Sequence, residues 1–473
     1  MNDKPSLSQS ASEKIAAFVT TFDPALLSVP TRHVMARAFY DTIVSAVAGA
    51  HEPCTRTALA YARAQAGSAG SGGVAVWTGG ERLGMEYAAL VNGTMAHALD
   101  YDDVTSPLRG HPSVAMVPAL MALGESLRSE GRALIDAFAV GFEVTLKIAR
   151  AIVDDQYAKG WHSTASIATF GAVAACARLA GLDARSTSHA LGIAVAQIAG
   201  TRQNFGTMAK PLQAGLANAT ALRSVLLAQA GMDASRVAMD GPFGYGTLYA
   251  DGQDLHAQLD TLGSLPLEID AAGIEVKKYP LCYATHRTVD GVLDARAAHG
   301  LSLADVDRVD VRTNYRATVP LIYPRPQTGL EAKFSMPYAV AASLLDGGLR
   351  LSSFVDPAVQ RPEIQNFMAM VSVSEGQPPM FPRWAEVDIH LKDGRVLASR
   401  IERLRGSAQV PLTDAELIAK GEDCCAYGKA GFSAHDLAEA CFGMEGCPVR
   451  EICDVLVGAS KAARATAPEE AAA

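Results

Sequence analysis

The chain has 473 residues and a formal net charge of −9, too long for one ordinary core and without the basic stripe that nucleic acid requires. Nearly half the residues are hydrophobic but only 6% are aromatic, so the interior must be assembled largely from Ala, Val, Leu and Ile, which suits close-packed helices. An acidic balance repels an anionic substrate, so a site for one has to gather its own positive charge.

The opening MNDKPSLSQS has no basic stretch followed by an apolar run, which predicts no secretory signal. Ala-rich runs such as 165–180 are broken by Ser, Thr and Gly and fall short of the roughly 20 apolar residues of a membrane span. The eight cysteines form no CxxC pair, and Cys441, Cys447 and Cys453 match no zinc ribbon or finger. A cytoplasmic protein with reduced thiols and no membrane partner is expected.

Apolar side chains recur at helical intervals over 33–50, 112–128 and 132–152. Between the first two of these, AGSAGSGG at 66–73 reads as a surface loop before a strand candidate, Val74–Trp77; no GK[ST] follows, which makes the phosphate-loop reading the weaker one. Ala-rich helices are predicted at 163–180, 184–199 and 211–230, with Gly181, Gly200 and Gly231 placed as left-handed caps. The texture changes near 269. Val306–Thr313 alternates apolar and polar residues, Ala332–Leu345 reads as a short helix, and 384–402 reads as two strands joined by a tight hairpin at Lys392-Asp393-Gly394-Arg395. Beyond 406 the helical pattern returns, up to a tail, ATAPEEAAA, expected to be disordered. The fold class is therefore mainly α: a large all-helical domain from both chain ends, 1–268 and 406–473, and a smaller α/β domain, 269–405.

The densest group of chemically capable residues is HALDYDDVTSPLRGHPS at 97–113, which gathers His97, Asp100, Asp102, Asp103, Arg109 and His111. Neighbouring aspartates raise one another's pKa, histidine exchanges protons near neutrality, and arginine offers a fork for a carboxylate. Acid–base chemistry is one reading; a solvated loop whose aspartates cap helix ends is another. A magnesium site is a third, although the DxDD lacks the pattern of a calcium loop.

His162 begins an Ala-rich helix, where free N–H groups welcome a carboxylate, although a histidine beside Trp161 also simply fills space and caps. Lys210, before Pro211, projects from another helix start, or is an ordinary surface lysine. Lys277 and Lys278 precede Tyr279-Pro280 where the two domains join, a favoured place for ligands. Cys282 and His286 follow in YPLCYATHR; their spacing does not make a thiolate–imidazole pair, and Cys282 reads as packing.

Six segments in order, VNGTMAHALDYDD, GHPSVAMVPAL, GWHSTASIATFGAVAACARLAGL, GTMAKPLQAGLANA, KKYPLCYATH and LEAKFSMPYAVAASLLDG, resemble the MmgE/PrpD family, which includes 2-methylcitrate dehydratase, cis-aconitate decarboxylase and iminodisuccinate epimerase. The resemblance implies that the α/β domain is a lid, with a cleft where the domains meet, and that the chain forms a homodimer. It places the decarboxylase branch's active-site residues on Asp100, His111, His162, Lys210 and Lys277. His97, Arg109 and Tyr279 join His162, Lys210 and Lys277 as candidate substrate contacts. Val104 stands where that branch carries a threonine, with Thr105 adjacent, and VTSPLRGHPS lacks the tryptophan-bearing insertion of the dehydratase branch.

The implied chemistry moves a proton at a carbon next to a carboxylate, with no metal or organic cofactor. Lys210, Lys277 and His162 would clamp carboxylates while His111, oriented by Asp100, moves the proton. The leading expectation is a hydro-lyase acting on a 2-methylcitrate-like polycarboxylate. The alternatives are a carboxy-lyase acting on cis-aconitate or a relative, an epimerase of a dicarboxylate, and a catalytically silent binding protein.

Overall fold

Helices in this chain begin where short polar side chains take up free backbone N–H groups. Ser10 and Glu13 form a reciprocal capping box on α1 (Ala11–Thr21), and Ser28 accepts from Thr31 N–H at the start of α2 (Val29–Gly49). α2 is apolar or small almost all round, and most of its residues are buried, as expected of a helix enclosed on every side. After α3 (Pro53–Ala66) comes a small antiparallel ribbon, β1 (Val74–Ala75) with β2 (Arg82–Leu83), the only strands of this unit among its described residues.

The computed structural model describes residues 9–66 and 73–457. The expectations for MNDKPSLS at the start, for most of the 66–73 loop and for the ATAPEEAAA tail fall outside these residues. The chain divides into two units. The first runs to Ala98, from Asp102 to Ile274, and from Gly428 onward; the second takes Leu99–Tyr101 and Glu275–Tyr427. Among the described residues no helix is long and apolar enough to cross a membrane.

The first unit continues with α4 (Met85–His97), α5 (Val117–Leu127), α6 (Gly131–Ala158), α7 (Ser163–Ser166), α8 (Ala168–Leu179), α9 (Ala184–Val195) and α10 (Ala209–Gln229). Short helices α11 (Tyr245–Ala250), α12 (His256–Leu259) and α13 (Glu268–Ala271) close its central portion. Several sequence expectations shift. The helix expected from 112 starts only at Val117, with Pro118 in its first turn. The helix expected over 163–180 is two, separated at Ile167. The one expected to reach 199 ends at Val195, so Gly200 does not cap it. Gly181 and Gly231 do follow the ends of α8 and α10 with positive φ.

One crossing sets the geometry of the site. α4 and α10 meet backbone to backbone at Gly93 and Gly215, where an added Cβ on Gly215 would lie 2.3 Å from Leu90 O and one on Gly93 would lie 2.9 Å from Gly215 Cα. Only glycine permits that approach. Asn218, one turn along α10, donates to Val114 O at 2.7 Å and accepts from Ala119 N–H at 2.9 Å, fixing the start of α5. His97 and Lys210 each lie within two turns of this crossing.

In the second unit β3 (Val306–Thr313) runs parallel to β4 (Val371–Glu375) and antiparallel to β5 (Ala385–Leu391), which pairs with β6 (Val396–Ile401), giving the order β4-β3-β5-β6. The expected hairpin joins β5 and β6, with Gly394 at positive φ in its turn. Alternate residues Val387, Ile389 and Leu391 are buried, and α14 (His286–His299) and α16 (Met336–Asp346) supply apolar partners in the same core. The helix expected from Ala332 is thus a single turn, α15 (Gly329–Ala332), followed by α16, with Lys333 between them. Short helices α17 (Asp356–Val359) and α18 (Pro362–Phe367) and the longer α19 (Asp414–Gly428) complete the unit; α20 (Ala434–Phe442) and α21 (Val449–Leu456) belong to the first.

Gly215→Ala is expected to destabilise the protein by about 1–3 kcal/mol, the range for overpacking a tight contact. Chemical denaturation checks this, and an unchanged midpoint would show that the crossing has room.

Candidate active site

In the first unit a single carboxylate organises two imidazoles. Nδ1 of His97, the last residue of α4, lies 3.0 Å from both oxygens of Asp102, and Nδ1 of His111 lies 2.9 Å from Asp102 Oδ2. His97 and Asp102 are shut off from solvent and His111 is buried. The His97 and His111 rings meet edge to face at 4.5 Å, and the His162 ring stacks 6.1 Å from that of His97. The sequence offered Asp102 only as one of three clustered aspartates, and the resemblance gave the orienting role to Asp100. The signal for Asp102 was weak, because Asp100, Asp102 and Asp103 are alike in one dimension.

The local turns explain the placement. His111 N–H donates to Thr164 Oγ1 at 3.0 Å and Ser163 Oγ donates to Arg109 O at 3.1 Å, which seats the 109–111 turn against the first turn of α7. Asp103 serves differently from Asp102: it accepts from Ser113 N–H and Ser113 Oγ. Burial, and then the nearby Asp41, push the Asp103 carboxyl well above the usual carboxylate range. It is a capping acid of the turn before α5. The Thr105 hydroxyl is committed to Gly273 O at 3.1 Å.

His162 begins a single helical turn rather than a long helix, so the expected full dipole is not behind it. Its backbone N–H donates to Gly200 O at 3.1 Å. Gly200 has φ +127°, and a Cβ there would sit 2.8 Å from the Ala165 methyl, so its glycine is required for this junction rather than for a helix cap. His162 Nδ1 lies 2.6 Å from Gln213 Oε1, and Gln213 Nε2 donates to Thr201 O, which fixes the amide orientation and makes Nδ1 the protonated nitrogen. Gln213 lies three residues after Lys210 on α10, a same-face spacing that the sequence did contain. Lys210 is buried, with Nζ 5.4 Å from the centre of the Phe205 ring.

These contacts fix the charges. Burial, reinforced by Lys210 and His111 and opposed by Asp102, brings the His97 pKa down to about 4. Burial, His97 and Lys210 hold His162 well below the ordinary histidine value. Burial alone would raise Asp102, but the His111 and His97 imidazoles hold it well below the carboxylate range. His97 and His162 are therefore neutral beside an ionised Asp102. With Nδ1 donating to Asp102, His97 Nε2 is a buried acceptor without a hydrogen-bond partner among the described residues. His97, Asp102 and His111 are donor types that a divalent cation also takes, and one ligand atom of each lies within 4.8 Å of the others.

Arg109 stands elsewhere: its guanidinium pairs with exposed Asp154 and lies 5.8 Å from the Tyr157 ring centre. In the second unit Lys277 Nζ lies 3.2 Å from Asp100 Oδ1. The Tyr279 hydroxyl donates to Asp290 Oδ1 at 2.8 Å, and burial followed by Asp290 raises its pKa. Cys282 is buried, and His286, beside it in sequence, is lowered to about 3 by burial and then Lys277.

Because His97, His162 and His286 have folded pKa values below the free value of 6.5, the unfolded chain binds more protons on the acid side. Their contribution is complete above about pH 6.5 and is lost as pH falls toward 4. Melting temperature measured from pH 8 to 4 should fall below 6.5, with a shallower fall in His286→Gln; a flat profile would contradict neutral imidazoles.

The MmgE/PrpD N-terminal domain profile matches residues 13–258 and the C-terminal domain profile matches residues 279–438. Cis-aconitate decarboxylase from Mus musculus is 31% identical over 355 residues, covering 72% of this chain and 71% of its own. The Homo sapiens protein of that name is 29% identical, covering 72% of each chain. The Aspergillus terreus protein is 26% identical over 82% of this chain and 84% of its own. The two family domains together span most of the sequence, in the order its motifs set out, and the chain belongs to the MmgE/PrpD family.

Proposed function

We propose that this chain is a lyase that decarboxylates a small unsaturated polycarboxylate of the cis-aconitate type. The observation that carries the reading is the buried His97–Asp102–His111 arrangement with Lys210 and His162 in the same polar cluster. The relatives' activity favours decarboxylation over the dehydration expected first from the sequence.

In an acid whose carboxymethyl group is attached to a carbon–carbon double bond, the bond to the departing carboxylate breaks and its electron pair moves through the double bond. The pair arrives at the carbon beside a remaining carboxylate, where a proton must be delivered. His111 is the proposed donor, and Asp102 holds the ring and stabilises its protonated form. The Lys210 ammonium binds a retained carboxylate and offsets the enolate-like charge. His162 takes a different part from the carboxylate clamp expected of it: with Nδ1 given to Gln213, its Nε2 is an acceptor, suited to an ammonium or hydroxyl rather than to a carboxylate. Asp100 and Lys277 are proposed to serve the same reaction, on the strength of the family resemblance.

A second reading, dehydration of a 2-methylcitrate-like acid by the same groups, is kept by one feature. Val104 replaces the decarboxylase threonine, and the neighbouring Thr105 hydroxyl is spent on Gly273 O. A cytoplasmic homodimer is the proposed assembly, tested by light scattering.

Incubation with cis-aconitate in deuterated buffer is expected to release carbon dioxide and to give a methylidene dicarboxylate carrying one deuteron, seen by proton NMR. No carbon dioxide from cis-aconitate, together with water loss from 2-methylcitrate, would replace the first reading with the second. His111→Ala should lower kcat by about a hundred- to ten-thousandfold, the usual worth of a positioned proton donor. Asp102→Asn should lower kcat and shift the pH profile, whereas Lys210→Ala should mainly raise KM. Equal activity in all three variants would sink the assignment.

A further inference from the structure

Three buried lysines of the second unit aim their ammonium groups at three consecutive backbone carbonyls. Lys333 Nζ donates to Leu99 O at 2.6 Å and to Pro280 O at 3.1 Å. Lys277 Nζ donates to Asp100 O at 2.5 Å, and Lys420 Nζ donates to Tyr101 O at 2.8 Å while lying 4.1 Å from the centre of the Tyr101 ring. The three lysines are 3%, 1% and 5% exposed respectively. They come from separate stretches of chain: the turn between α15 and α16, the segment before Tyr279, and α19. The Tyr101 hydroxyl adds a further tie, donating to Lys278 O at 3.1 Å.

A core does not need this arrangement. Buried ammonium groups carry a large desolvation cost, and apolar residues of similar volume commonly stabilise a fold as well or better. What the lysines specify is direction. Each fixes the plane of one trans peptide unit, and three successive planes leave little freedom at Asp100 and Tyr101. Asp100 has φ +55°, a left-handed conformation that a non-glycine residue holds where its surroundings over-determine it. In sequence this short stretch lies between His97 and Asp102.

We propose that Lys333 and Lys420 are positioning residues which, with Lys277, clamp the Leu99–Tyr101 backbone and so set the direction of the Asp100 carboxylate for the reaction. This rests on the functional reading above only for its kinetic arm, and that arm uses whichever substrate the unaltered protein turns over. Lys333→Met and Lys420→Met are compared with Lys278→Met, whose lysine pairs at the surface with Glu416.

Hydrogen–deuterium exchange, followed without substrate, should accelerate at least tenfold in peptides spanning 98–104 in the first two variants and not in the third. In the same variants kcat should fall at least tenfold with KM within twofold. Unchanged exchange in 98–104 overturns the clamp. Faster exchange there with unchanged kcat overturns the positioning role, and loss of protection throughout the second unit would show that the lysines hold the core instead. Where a Met variant does not fold, the Gln variant, whose shorter uncharged side chain no longer reaches the carbonyl as the lysine does, is read by the same criteria. Failure of the unaltered protein to decarboxylate overturns the functional reading alone and leaves the exchange result standing.

Discussion

A carboxylate buried between two imidazoles is the constraint on which the candidate site depends. Asp102 is fully buried, so its oxygens must be satisfied by protein groups, here His97 and His111. That requirement fixes the tautomer of His97, orients His111, and leaves His97 Nε2 as a buried acceptor. The neighbouring Asp103 is driven toward its neutral form by burial and then by Asp41. Two adjacent residues of one type thus acquire opposite characters from their surroundings.

α10 carries much of the organisation around this pair. Lys210 supplies the charge, Gln213 sets the His162 tautomer, Gly215 admits α4, and Asn218 ties down the start of α5. Successive intervals of two to three residues make these jobs compatible on one helix. A substitution at the crossing would therefore be felt at several groups together, because close-packed helices transmit displacement rather than absorb it.

The second unit uses a different device. Its sheet and helices provide an apolar core, but its lysines at 277, 333 and 420 are turned onto backbone carbonyls. The resemblance singled out Lys277 and gave no reason to look at the others. Lys333 sits in an ordinary-looking KFS sequence and Lys420 in an amphipathic helix, and nothing local marks either as buried.

The sequence by itself determined the family, the mainly helical class, β3 and the β5–β6 hairpin, because periodicity and turn residues act over a few neighbours. It also named His97, His111, His162, Lys210 and Lys277, whose types advertise their chemistry. Which carboxylate holds His97 and His111 was decided only by tertiary structure: Asp100, Asp102 and Asp103 are indistinguishable until a left-handed turn at Asp100 sends their side chains to different partners. The same holds for Gly200, which looked like a helix cap and instead supports His162, and for Arg109, whose guanidinium pairs with exposed Asp154. Burial and direction are products of contacts distant in sequence, and they set the partners of the site residues and hold His97 and His162 neutral beside an ionised Asp102.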